Sequence, residues 1–328
     1  MREFDLIQHF FNTIELCRSD VVLGIGDDAA LLRPPHGQHL VVTTDTLVQD
    51  KHFPASASPA DIGYKSLAVN LSDLAAMGAE PAWILLALTL PIADETWLQQ
   101  FAQGFFSLMR DFHCQLVGGN LSSGPLSVTV QALGFVPAGQ ALLRSGAQVG
   151  DRIYVSGTLG DAGLALAYLK NSTPFSFNEK QIQCLIQRLH RPQPRVDMGL
   201  ALRGLASSAI DISDGLAADL GHILSASQVG AKLTVTELPL SDILQRLSSE
   251  EAWQLALSAG DDYELCFTVS PTYEKTLQQC LKKISYPVTC IGVITKDPGL
   301  NVYVKENTQF ILNRTGFQHF VDNNSFKN

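Results

Sequence analysis

A set of aspartates draws attention through its surroundings. Asp27, Asp28, Asp45, Asp73, Asp211, Asp214, Asp261 and Asp262 lie in or beside runs of small and apolar residues, with few lysines or arginines close in sequence. An uncompensated charge in such a setting is expensive. Hard divalent cations compensate it, and Mg2+ takes one or two protein carboxylates together with substrate phosphates. Helix caps and turns explain any single Asp equally well, but they account poorly for the whole set. Two glycine clusters, Gly118-Gly119-Asn120 and Gly157-Thr158-Leu159-Gly160-Asp161, would let backbone amides approach a phosphate or simply serve tight turns. Arg144, just before Ser145-Gly146, carries a planar fork suited to phosphate or to a surface ion pair. His52 and Phe53 follow Asp45 closely enough to meet a substrate, although a lone His is more often structural.

Several chemistries are excluded. Gly24-Ile25-Gly26-Asp27-Asp28-Ala29 fits the dinucleotide pattern G-x-G-x-x-A, with Asp45 downstream. No helix can follow, because Pro34-Pro35 arrives too soon, and two acids inside the motif would repel a pyrophosphate. There is no G-x-x-x-x-G-K-[ST] run and no H-R-D or D-F-G signature. Neither a Ser/His/Asp nor a Cys/His arrangement is evident, nor a zinc-type spacing of His and Cys. Lys+Arg 23 against Asp+Glu 32 gives a net charge of −9, which argues against nucleic acid as a partner. Bound cations would still admit an anionic substrate. Cys17, Cys114, Cys184, Cys266, Cys280 and Cys290 include no C-x-x-C pair and are expected as reduced thiols, mostly in the core. The acidic opening Met1-Arg2-Glu3-Phe4-Asp5 predicts no signal peptide, and no apolar run approaches the roughly 18 residues of a membrane helix. A soluble cytoplasmic protein without a membrane partner is expected.

At 328 residues with 46% apolar content, the chain predicts two globular domains. A short amphipathic helix is expected over 4–11 and a turn over 24–28, with Cys17 in helix beside Ile14-Glu15-Leu16. A β-branched strand over 40–44 should stop at Asp45. Pro59 should open a helix that ends at Gly78. A buried strand over 83–90, a helix over 95–114, and strands at 115–117 and 126–136 complete the first half, with Gly118-Gly119-Asn120 just past a strand end. In the second half, strands are expected near 153–155, 208–212, 232–236, 264–269 and 288–294. Helices are expected near 161–170, 179–190, 196–206, 214–226, 250–258 and 272–284. The fold class is α/β or α+β, with a boundary near 146–151. Leu71-Ser72-Asp73-Leu74-Ala75-Ala76 faintly echoes Ile212-Ser213-Asp214-Gly215-Leu216-Ala217-Ala218, a similarity that chance alone can produce.

Six segments carry a resemblance. Gly24-Ile25-Gly26-Asp27-Asp28-Ala29-Ala30, Thr43-Thr44-Asp45, and Asn70-Leu71-Ser72-Asp73-Leu74-Ala75-Ala76-Met77-Gly78-Ala79 come first. Leu143-Arg144-Ser145-Gly146-Ala147, Asp211-Ile212-Ser213-Asp214-Gly215-Leu216 and Asp262-Tyr263-Glu264-Leu265 follow. In this order, and over nearly the whole chain, they resemble the thiamine-monophosphate kinase family of the aminoimidazole-ribonucleotide synthetase-like superfamily.

The resemblance implies ATP-dependent transfer of a phosphoryl group to thiamine monophosphate, giving thiamine diphosphate, with several Mg2+ ions. It implies a two-domain α+β fold: an N-terminal ATP- and metal-binding domain, residues 1–148, whose sheet pairs in a homodimer, and a C-terminal domain, residues 149–328, that closes over the cleft. Position by position, it implies metal ligation by Asp28, Thr43, Thr44, Asp45, Asp73, Asp211 and Asp214, with Asp45, Asp73 and Asp211 carrying catalysis. Gly119, Arg144 and Ser213 match nucleotide contacts, and His52, Asp261 and Phe317 match contacts to the acceptor. Two positions depart from the family. Asn120 stands where the family has a metal-binding Asp, so an amide oxygen remains available to nucleotide or metal without the charge. Asp261 stands for Glu, one methylene shorter. Two alternatives stay open: a sister ATP-dependent enzyme with another acceptor, and a nucleotide-binding regulator without turnover. The selenophosphate branch would need a reactive cysteine in a glycine-rich setting, which Cys17 does not have.

Overall fold

The computed structural model describes residues 2–12, 17–305 and 308–318. The chain forms two compact units, one of Met1–Leu143 with His190–Leu205 and the other of Arg144–Leu189 with Ala206–Asn328.

The first unit opens with α1 (Glu3–Leu6), continued by a wider turn over Ile7–Phe11. A small hairpin of β1 (Val21–Leu23) and β2 (Leu31–Leu32) frames the Gly24–Ala30 motif. Then come β3 (Gln38–Val48), α2 (Pro59–Ala76), β4 (Glu80–Leu90), α3 (Glu95–Asp111), β5 (Gln115–Ser123) and β6 (Ser127–Pro137). The four long strands form one sheet in the order β3-β6-β4-β5, antiparallel except for β4 beside β5. Helices α2 and α3 pack together and supply the core with Leu67, Leu71, Leu74, Phe101 and Phe105. The helix starts as the sequence requires: the Ser58 hydroxyl accepts from the Asp61 amide and Pro59 takes the first position. Gly104 allows α3 to approach α2 so closely that a Cβ there would lie 1.8 Å from the Ala60 carbonyl oxygen.

In the second stretch, β7 (Arg152–Ser156), α4 (Asp161–Leu169) and α5 (Glu179–His190) come first. Next, α6 (Val196–Ala201) returns to the first unit and packs on α2. The second unit continues with β8 (Ala206–Asp211), α7 (Leu216–Ser227), β9 (Gly230–Thr234), α8 (Ser249–Ser258), β10 (Leu265–Val269), α9 (Glu274–Leu281), β11 (Val288–Thr295), β12 (Gly299–Lys305) and β13 (Thr308–Gln309). Its sheet runs β13-β12-β9-β11-β7-β10-β8, antiparallel except for β9 beside β12. Ile153, Val155, Ile210, Leu220, Leu233 and Ile291 lie in its core. The mixed α/β architecture follows the expected class, with sheets that are mostly antiparallel.

Several expectations need correction. The strand predicted to stop at Asp45 continues to Val48, because β6 pairs with it residue for residue from Gln38↔Pro137 to Val48↔Ser127. Gly118-Gly119-Asn120 lies inside β5, which a bulge between Leu116 and Gly118 carries through to Ser123. The helix expected over 196–206 stops at Ala201, and β8 begins at Ala206 after Gly204, whose φ is +71°. Strand β12 and the β1–β2 hairpin were not foreseen. Of the six cysteines, only Cys114 and Cys266 are buried, and Cys17 and Cys184 are exposed. The helix expected at Ile14-Glu15-Leu16 lies outside the described residues.

Candidate active site

Strand alternation sorts the first unit's candidate residues onto two faces of one sheet. Thr43 and Asp45 point from β3 toward α2. There the Thr43 hydroxyl donates to Asp73 Oδ2 at 2.5 Å, and Asp45 is hydrogen-bonded to Asp73. Burial first, then the charge of Asp73 and that hydrogen bond, push the Asp45 carboxyl up to about 7. One turn earlier on α2 lies Asn70, fully buried. Its amide donates to the Ser66 carbonyl at 3.0 Å, while its Oδ1 has no partner among the described residues. Two crowded carboxyls beside an unsatisfied buried oxygen form a donor set that fits a hard cation. Among the described residues no three His, Cys, Asp or Glu side chains stand together as a ready-made cage. Any such cation must therefore complete its shell with other oxygens, as substrate phosphates supply.

Thr44 faces the other way, and its hydroxyl donates to the Val130 carbonyl at 3.1 Å. It lines a cavity of about 1130 Å³ with Asp27, Asp28, Gly119, Asn120 and Gln131. Asp28 is exposed there, and its amide donates to Asp27 Oδ1. Gly119 brings β5 against β4: a Cβ would sit 1.9 Å from the Leu86 carbonyl oxygen. His52 lies in the turn after β3. Its Nδ1 accepts from the Val48 amide at 2.9 Å, and its carbonyl accepts from Nζ of Lys65, a lysine only 2% exposed, at 3.3 Å.

In the second unit, two motifs far apart in sequence form one irregular ladder. The Ile212 amide donates to the Glu264 carbonyl, the Tyr263 amide to the Ile212 carbonyl, and the Asp261 amide to the Ser213 carbonyl, each at 2.8 Å. The ladder holds Asp261 at φ +70° and Tyr263 at φ +49°, a region that non-glycine residues seldom occupy. The Phe317 amide donates to the Asp214 carbonyl at 2.9 Å. Gln254 of α8 anchors the segment leading there, donating to the Ile311 carbonyl at 2.8 Å and accepting from the Asn313 amide at 3.2 Å. Asp211, Ser213, Asp214, Asp261 and Phe317 thus share one framework, with Asp211 buried at the end of β8 and the Phe317 ring half-exposed. Arg144 is exposed and makes no ion pair among the described residues. The Ser227 hydroxyl organises its segment, donating to the Arg144 carbonyl and accepting from the Gly146 and Ala147 amides.

Sequence reasoning overlooked Asp219 and Arg188. Asp219, in the first turn of α7, is 3% exposed, and its Oδ2 accepts from the amides of Ser213, Asp214 and Gly215. Burial, then the charge of Asp214, push its carboxyl up to about 7, while the three amides pull it down. The signal for it was an acid between Leu216 and Leu220 on the apolar side of a helix. The second group surrounds Arg188 of α5, which donates to Glu264 at 3.2 Å and to the Thr158 carbonyl at 3.0 Å and lies near Asp161. Fully buried Glu264 also accepts from the Ser156 hydroxyl at 2.6 Å. Asp262 accepts from the Gly160 amide, and burial pushes its carboxyl well up. These groups brace the Thr158–Asp161 turn from within.

Known proteins resemble this chain over nearly its whole length. Residues 26–136 match the N-terminal domain of AIR synthase related proteins, and residues 148–305 match the C-terminal domain. Thiamine-monophosphate kinase of Escherichia coli K12 is 50% identical over 320 residues, covering 97% of this chain and 98% of that protein. The crystal structure of thiamine-monophosphate kinase from Stenotrophomonas maltophilia K279a aligns with a TM-score of 0.82 at 48% identity, over 87% of this chain and 92% of that one. AaThiL complexed with AMPPCP and TMP aligns with a TM-score of 0.76 at 30% identity, over 97% of this chain and 96% of that one. On both its domains and its full-length relatives, the chain belongs to the AIR synthase related proteins and, within them, to the thiamine-monophosphate kinase family.

Proposed function

We propose that the chain transfers the γ-phosphoryl group of ATP directly to the phosphate of thiamine monophosphate, releasing ADP and thiamine diphosphate. A phosphate oxygen of the acceptor forms the new P–O bond as the bond to the bridging oxygen of ADP breaks. That oxygen is already ionised near neutral pH, so no strong base is required. The work is positioning and charge neutralisation. The observation that supports this reading best is the shared framework of the second unit. Ser213 and Asp214, on the nucleotide and metal side, accept the amides of Asp261 and Phe317, on the acceptor side.

Asp45, Asp73 and Asp211 carry the chemistry in this reading. Mg2+ ions would be held by Thr43, Asp45 and Asp73 on the α2 face of the sheet, by Asp28, Thr44 and Asn120 on its cavity face, and by Asp211 and Asp214 in the second unit, the Thr43 hydroxyl fixing the Asp73 carboxylate. Bound there, the cations would neutralise phosphate oxygens that otherwise repel one another. Gly119, Asn120, Arg144 and Ser213 bind the nucleotide; His52, Asp261 and Phe317 bind the acceptor. Residues 1–148 serve as the ATP-binding domain and 149–328 as the domain that closes the cleft. Leu40, Val42 and Val48 expose apolar side chains on β3, on the face away from α2, and we assign this face to pairing with a second copy in a homodimer. The described residues include no helix long and apolar enough to cross a membrane, and we place the enzyme in the cytoplasm.

Asp73→Asn tests the assignment. Turnover should fall about a hundredfold or more, the cost of losing one transition-state electrostatic group, while the circular dichroism spectrum stays unchanged. Near-parental turnover at ordinary Mg2+ would refute the metal assignment.

A further inference from the structure

Helix α7 begins without a capping side chain of its own. Its N-cap is Gly215, at φ +125°. The amides of the preceding turn would be orphaned there. Asp219 instead reaches back from within the helix, and its Oδ2 takes the Ser213, Asp214 and Gly215 amides, each at 3.0 Å. Three consecutive amides converging on one oxygen curl the chain into a tight concave turn. The carbonyls of this same segment are committed elsewhere: Ile212 to Tyr263, Ser213 to Asp261, and Asp214 to Phe317. Asp219 therefore sits behind a hub. Its amide bonds fix the path of residues 213–215, and the carbonyls of that path set the register of the 261–263 segment and of Phe317.

We propose that Asp219 is a positioning residue that aligns Ser213 and Asp214 with Asp261 and Phe317, so that the nucleotide and acceptor contacts are registered by one buried carboxyl. The inference rests on the function proposed above. An ordinary helix cap would steady α7 alone. A hub anchor must alter binding of both substrates at once, because both sets of contacts hang from the same turn.

Hydrogen exchange on the full-length protein reads the anchor directly, without activity. The amides of 213–215 should be protected in the parent, and should exchange at least tenfold faster in Asp219→Ala, which removes the acceptor oxygen, while β8 and β10 keep their protection. In the same variant, the KM for ATP and the KM for thiamine monophosphate should both rise about fivefold or more. Asp214→Asn serves as the reference. If it makes the enzyme need more Mg2+ while Asp219→Ala leaves both KM values unchanged, the positioning role is wrong and the proposed function stands. If Asp214→Asn changes nothing, the proposed metal site itself fails. If the parent amides of 213–215 exchange as fast as an exposed loop, the inference fails whatever the variants do, including one that does not fold.

Discussion

The carboxyls of Asp45 on β3 and Asp73 on α2 are hydrogen-bonded to each other, and burial together with mutual repulsion pushes Asp45 up to about 7. The pair keeps a proton that an exposed Asp would lose, unless a cation replaces it.

This sets the pH dependence of stability. An acid whose folded pKa lies above its unfolded value binds more protons when folded, so stability falls as pH rises between the two values. The metal-free protein should therefore melt at progressively lower temperature from about pH 4 to about pH 7, then level off. Asp219, also raised to about 7, contributes in the same sense. Asp45→Asn should flatten the curve in part, and saturating Mg2+ should lift its upper-pH end. A melting temperature that climbs across this window, measured by differential scanning fluorimetry, contradicts the pair as described.

Asn120 lines the cavity with Asp27 and Asp28. Restoring a charge there should strengthen cation binding, so Asn120→Asp should reach half-maximal rate at severalfold lower Mg2+. Identical titration curves for the two proteins would place Asn120 outside the metal shell.

The Phe317 ring is half-exposed, and a cationic thiazolium over its face would gain about 0.5–2 kcal/mol. Phe317→Ala should raise the KM for thiamine monophosphate severalfold and leave that for ATP nearly unchanged. Gln254→Ala should act in the same direction, because it frees the 311–313 segment that leads to the ring. An unchanged KM with a lowered melting temperature would assign Phe317 to packing alone.

Arg188 is the cation for a buried cluster of acids. Arg188→Met leaves Glu264 uncompensated and should cost about 3–5 kcal/mol in urea unfolding. Adding Glu264→Gln should recover much of the loss. A single variant as stable as the parent would show that the cluster does not brace the unit.

Much of this was legible in the residues. The acid motifs and the glycine clusters named the candidate residues, and Pro59 and Gly78 marked both ends of α2. What escaped depends on pairing partners. Nothing near Asp45 announces that β6 extends the strand to Val48. Gly118-Gly119 reads as a break, yet here the missing Cβ lets β5 lie close against β4. Alternation along β3 already separates Thr44 from Thr43 and Asp45, although the motif reads as one ligand set. Asp219 escaped notice because the amides it collects belong to a turn whose shape only the fold defines.

The reaction proposed for this chain is direct phosphoryl transfer from ATP to thiamine monophosphate. The most direct measurement incubates the purified protein with Mg2+, thiamine monophosphate and ATP carrying radiolabelled γ-phosphorus, then separates the products. Label should appear in thiamine diphosphate, one equivalent for each ADP formed. Label released only as inorganic phosphate, or no label leaving ATP while the protein remains folded, would contradict the proposed reaction.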